Sequence, residues 1–150
     1  MPTKHRTPGT NSKWYLPKWE YRTVVAFCLQ YKDLVKQRDD LQKLIEDGGF
    51  LKGVNYDGMP HGTGVGDPTY QAVLRKQLDL NKLRDVEKKI ELIEGNVNRV
   101  SRELNFWMLK AVTEEDATYD KLRYEDGMPL PKNAYSCMRR EIYYRISKSL

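Results

Sequence analysis

The chain has 150 residues, of which 39% are hydrophobic and 31% charged, and its formal net charge is +5 at pH 7. It is long enough for one ordinary domain, and its many charged residues favour long exposed helices over a compact sheet. No window approaches the roughly 18 uninterrupted apolar residues of a membrane-spanning helix. The basic N-terminus has no apolar run behind it, which argues against a secretory signal.

The positive charge is concentrated towards the two ends of the sequence. Residues 1–22 have a net charge of +4 and residues 118–150 one of +3, whereas residues 23–117 sum to −2. Basic segments usually meet nucleic acid or an acidic protein surface. Residues 1–13 are polar and include two prolines, so they are predicted to form a flexible basic tail.

The first long helix is predicted over residues 18–47. Apolar side chains recur there at steps of three and four, from Val24 to Ile45, with charged residues between them. The aromatic residues just before it, in the segment 14–21, are compatible with two roles. They could pack onto the helix as a lead-in, or they could form a platform on which bases stack.

A Gly-rich loop is predicted after this helix. Gly48 and Gly49 are typical of a helix end, and residues 48–66 contain seven glycines in all. A loop of this length in a small domain is either functional or mobile. The run at residues 62–66 lacks the lysine and hydroxyl residue that complete a Walker phosphate-binding loop.

The second long helix is predicted over residues 68–112. Asp67 and Pro68 are typical of a helix start. Apolar residues then follow at alternating steps of three and four over residues 83–107, which is the spacing of a coiled-coil seam. Residues 95–96 mark a place for a bend or a break.

The two long helices are expected to pair, because a helix with one apolar stripe cannot bury that stripe alone. Residues 14–112 are therefore predicted to form a long antiparallel helical hairpin of coiled-coil type. A second copy of the chain is a candidate partner for the same stripe, which would make a homodimer.

Residues 113–150 predict two short helices separated by a turn. Thr113 is expected to cap a helix over residues 114–124, and Asn133 to cap a last helix over residues 134–147. The turn contains Gly and two Pro, which interrupt helices. The last helix has polar and basic residues on one side and an apolar stripe on the other, formed by Tyr135, Met138, Ile142 and Ile146.

A short helix, a Gly-containing turn and an amphipathic basic helix together outline a helix-turn-helix unit. The second helix of that motif enters the major groove of double-stranded DNA. Arg typically forms hydrogen bonds with guanine and Asn with adenine, whereas Lys and Ser bind phosphates. The candidate DNA-binding residues are Lys132, Asn133, Ser136, Arg139, Arg140 and Tyr143. The competing interpretation is a solvated face with no ligand.

Several segments resemble the RinA-type and ArpU-type regulators, which control late genes in phages of Gram-positive bacteria. Residues 62–69 are similar to a GxGVSDPT segment of these proteins, although Gly66 stands where they usually have Ser. Further similar stretches follow the same order along the chain: residues 14–21, 107–113, 118–122, 128–129 and 135–144.

The resemblance implies a transcriptional activator of phage late genes for packaging and structural proteins. Such a protein binds promoter DNA through a C-terminal region akin to the sigma-factor region that reads the −35 element. Double-stranded DNA and host RNA polymerase are then the expected partners, and the cytoplasm of the bacterial host is the expected location.

Two other functions are compatible with the same pattern. A small terminase subunit also combines a helix-turn-helix with coiled-coil helices, and a helical adaptor would use its basic ends only for solubility. An enzyme is not expected, and neither is a metal or cofactor, because the two histidines and two cysteines show no ligand spacing. Cys28 and Cys137 are expected to be buried free thiols of a cytosolic protein.

Overall fold

The computed structural model describes residues 13–47 and 68–150. Over these residues the chain is all-α, with six helices and no strand, which confirms the predicted fold class for this part of the sequence. The helices are α1 (Lys18–Leu29), α2 (Tyr31–Glu46), α3 (Pro68–Val100), α4 (Asn105–Thr113), α5 (Tyr119–Tyr124) and α6 (Lys132–Ser149). Nearly all of the predicted tail, the whole Gly-rich loop over residues 48–66 and the predicted cap Asp67 lie outside the described residues.

The predicted helix over residues 18–47 is divided at Gln30 into α1 and α2. The backbone N–H of Gln30 donates to the carbonyl of Phe27 at 3.2 Å, and the ψ angle of Gln30 is −6°. The end of α1 therefore tightens into a 3₁₀ turn. No Gly or Pro marks this position, so the periodicity alone predicted one continuous helix.

The second long helix, predicted over residues 68–112, ends at Val100. The interruption does not fall at residues 95–96, where the sequence indicated a bend or a break. Gly95 and Asn96 lie inside α3, where the Asn96 amide donates to the carbonyl one turn earlier at 2.7 Å. The break falls at residues 101–104, where the N–H of Leu104 donates to the Ser101 hydroxyl at 3.3 Å. A local side-chain bond of this kind competes with helix continuation.

The predicted caps of the last two helices are wrong. Thr113 belongs to α4 and its hydroxyl donates to the carbonyl one turn earlier at 2.6 Å. Thr118 caps α5 instead, since its hydroxyl accepts the N–H of Lys121 at 3.2 Å. Asn133 lies within α6, which begins directly after Pro131.

The chain divides into two compact units. The terminal unit comprises Met1–Lys32 and Ile90–Leu150, and the central unit comprises Asp33–Lys89. In the terminal unit α1 packs against α4 and α6, and α4 also packs against α5 and α6. Six of its core side chains have an exposed fraction of 0%: Val24, Cys28, Ile93, Met108, Ile142 and Ile146. This core holds α6 along one side and leaves the other side at the surface.

The central unit contains most of α2 and the first part of α3. Among its described residues, the buried apolar ones are Leu34, Ala72 and Val86. Large apolar side chains are exposed at Leu44, Tyr70, Val73, Leu74 and Leu78. The expected antiparallel pairing of α2 with α3 stays a prediction. None of the helices in the described ranges is both long and apolar enough to cross a membrane.

Candidate nucleic-acid interface

The connection from α5 to α6 is closed by backbone bonds and a buried side chain. Gly127 has a φ of +72°, a left-handed backbone conformation that residues other than Gly rarely adopt. Just beyond it, the N–H of Met128 donates to the carbonyl of Leu122 at 3.0 Å, and the Met128 side chain is buried. Arg123 donates to the Met128 carbonyl at 2.9 Å. The turn is therefore tied to the helix that precedes it.

Three further side chains fix the turn from α4 and α5. The indole N–H of Trp107 donates to the carbonyl of Asp126 at 3.0 Å, and Lys110 pairs with the Asp126 carboxylate at 3.3 Å. The Tyr119 hydroxyl donates to the carbonyl of Leu130 at 2.8 Å. These bonds determine the direction in which α6 leaves the turn.

One side of α6 belongs to the core of the terminal unit. Its buried residues are Tyr135, Ile142, Tyr143 and Ile146, and Met138 is half-buried. The apolar stripe predicted for this helix is therefore present, with Tyr143 added to it. The remaining arc of α6 faces solvent and contains most of the predicted DNA-binding residues.

The structure places the six predicted residues in different surroundings. Lys132 and Asn133 are exposed in the first turn of α6, and Ser136 and Arg140 are half-buried. Tyr143 was predicted to lie on the polar side of α6, but the structure places it in the core. It is 2% exposed, and its ring meets that of Tyr21 edge-on at 5.5 Å between centroids.

Arg139 is directed partly towards the core. Its guanidinium lies over the ring of Tyr135, 5.5 Å from the centroid, and its Nε is buried without a hydrogen-bond partner in the described part of the chain. Burial raises the pKa of Tyr21, Tyr135 and Tyr143, and the charge of Arg139 acts against this shift in all three. Arg139 is thus a cation packed among tyrosines, whereas Arg140, which is also half-buried, lowers the pKa of Tyr21 alone among the three.

The charges on α6 are poorly compensated. Its basic residues are Lys132, Arg139, Arg140, Arg145 and Lys148, and its single acidic residue, Glu141, pairs with Arg145 at 2.9 Å. The other four basic side chains form no ion pair with any residue of the described ranges. The first turn of α6 has no acidic residue and no side-chain cap. Such a helix start favours anions.

A second group of basic and aromatic side chains lies at the other end of α6, and it was not predicted from the sequence. Trp14 meets Tyr144 edge-on, with 5.5 Å between ring centroids. Lys13 lies 4.8 Å and Arg145 5.9 Å from the Trp14 centroid, and Lys148 lies 5.3 Å from that of Tyr144. The spacing of four between Tyr144 and Lys148 was the available signal, but nothing in the sequence connected it with Trp14.

The described residues contain no cluster of side chains suited to bind a metal ion. They contain no group of three His, Cys, Asp or Glu side chains that could hold a metal ion, and His5 and His61 lie outside the described ranges. Burial raises the pKa of Cys28 to about 12, which keeps its thiol protonated. Cys137 is exposed on α6, so the prediction of two buried thiols is correct only for Cys28.

A cavity of about 300 Å³ lies beside the turn between α3 and α4. Glu94, Asn98, Asn105 and Phe106 are among its lining residues, and none of the lining residues is on α6. The amides of Asn98 and Asn105 bond each other at 3.0 Å, and Glu94 accepts a hydrogen bond from the Tyr31 hydroxyl. These polar groups are thus already paired within the protein.

Comparisons with known proteins add no identity to this geometry. No family model, no curated protein and no solved structure matches the chain. The solvent-facing arc of α6 and its uncompensated charge are therefore the main basis for a functional proposal.

Proposed function

We propose that this chain is a DNA-binding transcriptional activator of phage late genes, and that it reads promoter DNA with α6. The observation that carries the proposal is that Lys132, Arg140 and Lys148 of α6 have no ion pair within the described ranges, while the opposite side of the helix packs in the core. Contacts between basic side chains and phosphates supply essentially all of the non-specific affinity of proteins for DNA and a large share of the specific affinity. The resemblance of several segments to RinA-type regulators supports the biological setting.

In this proposal α5, the turn and α6 act as a helix-turn-helix variant with a longer turn than usual. The bonds from Trp107, Lys110, Tyr119 and Arg123 hold that turn. Preorganisation of this kind supports recognition, because less conformational entropy is lost when DNA binds.

The residues of α6 have distinct proposed roles. Asn133 and Arg140 read base edges, since Asn pairs with adenine and Arg with guanine in the major groove. Two helical turns, or about 10 Å, separate them along the axis, which corresponds to about three base pairs. Lys132 and Ser136 contact phosphates. Arg139 packs over the ring of Tyr135 on the same helix and is assigned no DNA contact in this proposal.

Tyr143 has a packing role in this proposal, because a side chain that is 2% exposed cannot reach DNA without unfolding. The activator would also contact host RNA polymerase and act in the cytoplasm of the bacterial host. A second copy of the chain is a further proposed partner.

The decisive test replaces the proposed base-reading arginine. Arg140→Ala should weaken binding to the upstream region of the protein's own late operon by about 1–3 kcal/mol, or roughly 5- to 150-fold, and relax specificity at one position. Binding is measured by fluorescence anisotropy, with an unrelated duplex as the specificity reference.

The matched control is Arg84→Ala, which removes the same charge from an exposed position on α3 in the central unit. It should leave the affinity within about twofold. Equal affinities of the two variants would contradict the assignment of α6 as the reading helix. Unfolding curves of both variants establish that any loss of binding does not come from loss of structure.

A further inference from the structure

The strongest feature outside the proposed reading residues is the group formed by Lys13, Trp14, Tyr144, Arg145 and Lys148, here named the aromatic–basic cluster. Its rings and cations contact one another at centroid distances between 4.8 and 5.9 Å. The contacts connect a residue just before α1 with the C-terminal half of α6. Three cations and one acidic neighbour, Glu141, therefore gather on one patch.

The patch continues the proposed reading surface along the helix. Asn133, Cys137, Arg140, Tyr144 and Lys148 follow one another at steps of three and four, so they lie on the same side of α6. From the first to the last of them the helix rises by about 22 Å. The major groove is only about 12 Å wide.

A helix of this length that crosses the groove with its N-terminal residues on base edges carries its C-terminal half beyond the bases. There it meets the sugar–phosphate backbone at the edge of the groove. The aromatic–basic cluster is located on this half of α6.

The cations of the cluster are suited to bind phosphate. Lys13 and Lys148 are exposed and have no ion pair in the described ranges. Aromatic rings hold them in place through cation–π contacts, which leave the ammonium groups charged and accessible. Lys offers a point charge rather than a pattern of donors, so it binds phosphates without reading sequence.

We propose that the aromatic–basic cluster binds the phosphates of double-stranded DNA beside the groove that α6 enters. This inference rests on the proposed function, and it adds a second, sequence-independent contact. Because Trp14 packs against Tyr144, the segment before α1 becomes part of the DNA-binding surface in this proposal.

The test is the salt dependence of binding by the double variant Lys13→Ala/Lys148→Ala, measured with the full chain. The logarithm of the affinity should depend less steeply on the logarithm of salt concentration, by about two units for two phosphates. At about 0.1 M salt, affinity should fall by about tenfold or more. The loss should be the same for the operon fragment and for an unrelated duplex, because phosphates carry no sequence information.

The matched control is Lys88→Ala/Lys89→Ala, which removes two exposed charges from α3 in the central unit. An unchanged salt slope in the cluster variant, together with weaker binding by Arg140→Ala, would overturn the cluster and retain the reading helix. An unmodified chain that binds neither duplex at low salt would overturn both proposals.

A third arm separates backbone binding from base stacking. Single-stranded DNA of equal length should bind more weakly than the duplex, and Trp14→Leu should lower duplex affinity less than the double lysine variant does. Tighter binding of the single strand, abolished by Trp14→Leu, would overturn the proposal in favour of a stacking surface.

Discussion

Arg139 and Arg140 are neighbours in the sequence but occupy different surroundings on α6. One residue along a helix is a rotation of about 100°, which places Arg139 over Tyr135 and turns Arg140 away from that ring. Arg139 is therefore unsuitable as a probe of DNA contact, because its removal also takes packing from the ring beneath it.

The two cysteines differ in the same way, and this gives a chemical test of the core. We expect Cys137 to react with a thiol reagent within minutes at pH 8, and Cys28 to react only after denaturation. Cys28 is fully buried, and burial raises the pKa of its thiol to about 12, whereas Cys137 is exposed. The thiolate is the reactive form. Absorbance of the released chromophore counts the thiols.

Cys137→Ser is the control for this count and should abolish the fast phase. Two fast thiols in the unmodified chain would contradict the burial of Cys28.

The raised pKa of the Cys28 thiol also has a consequence for stability. Folded and unfolded chains both keep Cys28 protonated below the ordinary thiol pKa of 9.0, and above that pH the unfolded chain ionises first. The contribution of Cys28 to stability is therefore fully present below about pH 9, and it is lost as the pH rises from there towards about 12.

Tyrosine is the residue type whose placement was hardest to predict from the sequence. Tyr135 and Tyr143 are eight residues apart on α6 and both are buried, yet Tyr144 is half-buried among cations. A tyrosine has an apolar ring and a polar end, so it fits either side of an amphipathic helix. Isoleucine is apolar throughout, so Ile142 and Ile146 were predicted on the buried side of α6, and both are buried.

At the scale of elements, the sequence predicted helices but not where they end. The interruptions at Gln30 and Ser101 come from local hydrogen bonds of single residues, which leave no mark in a pattern of apolar spacing. The turn before α6 was predicted from its glycine and prolines. Its anchoring by Trp107 and Tyr119 depends on contacts between elements, which a pattern along one helix does not contain.

Two glycines provide a matched test of this turn. Gly127→Ala should lower the free energy of unfolding by about 1 kcal/mol, because the residue has a φ of +72°. Gly95→Ala should raise it by up to about 1 kcal/mol, since alanine is the better helix former. An added Cβ meets no atom within 4 Å at either position, so the difference isolates backbone conformation.

Denaturant unfolding followed by circular dichroism measures both variants. A Gly127→Ala variant that is as stable as the unmodified chain, or more stable, would show that the left-handed conformation of Gly127 does not form in solution. DNA affinity of the Gly127 variant measured below its unfolding transition then reports how much the turn contributes to orienting α6.

At the scale of the whole molecule, the competing functions predict different assemblies. We expect light scattering to give the mass of a monomer or a dimer. The central unit exposes apolar side chains at Tyr70, Leu74 and Leu78, which are four residues apart and so lie on one side of α3. A stripe this short offers less area than the roughly 800 Å² per partner of a typical stable interface. Any dimer should therefore dissociate on dilution.

A ring of about eight or more subunits would contradict the regulator and favour a small terminase subunit. Leu74→Glu is the variant that separates a specific dimer from nonspecific association. It should shift the mass towards the monomer, whereas Lys88→Glu, at an exposed polar position of the same helix, should not.

The core of the terminal unit joins the two ends of the sequence, and this has a consequence for biosynthesis. Val24 and Cys28 on α1 are synthesised early, but they pack with Ile142 and Ile146 on α6, which leave the ribosome more than a hundred residues later. The central unit, in contrast, is one continuous stretch of chain. Domains generally fold during synthesis as their segments emerge. The terminal unit can therefore close only after α6 has been translated, and a nascent chain that stalls before α6 leaves an unfinished apolar face open to chaperones and proteases.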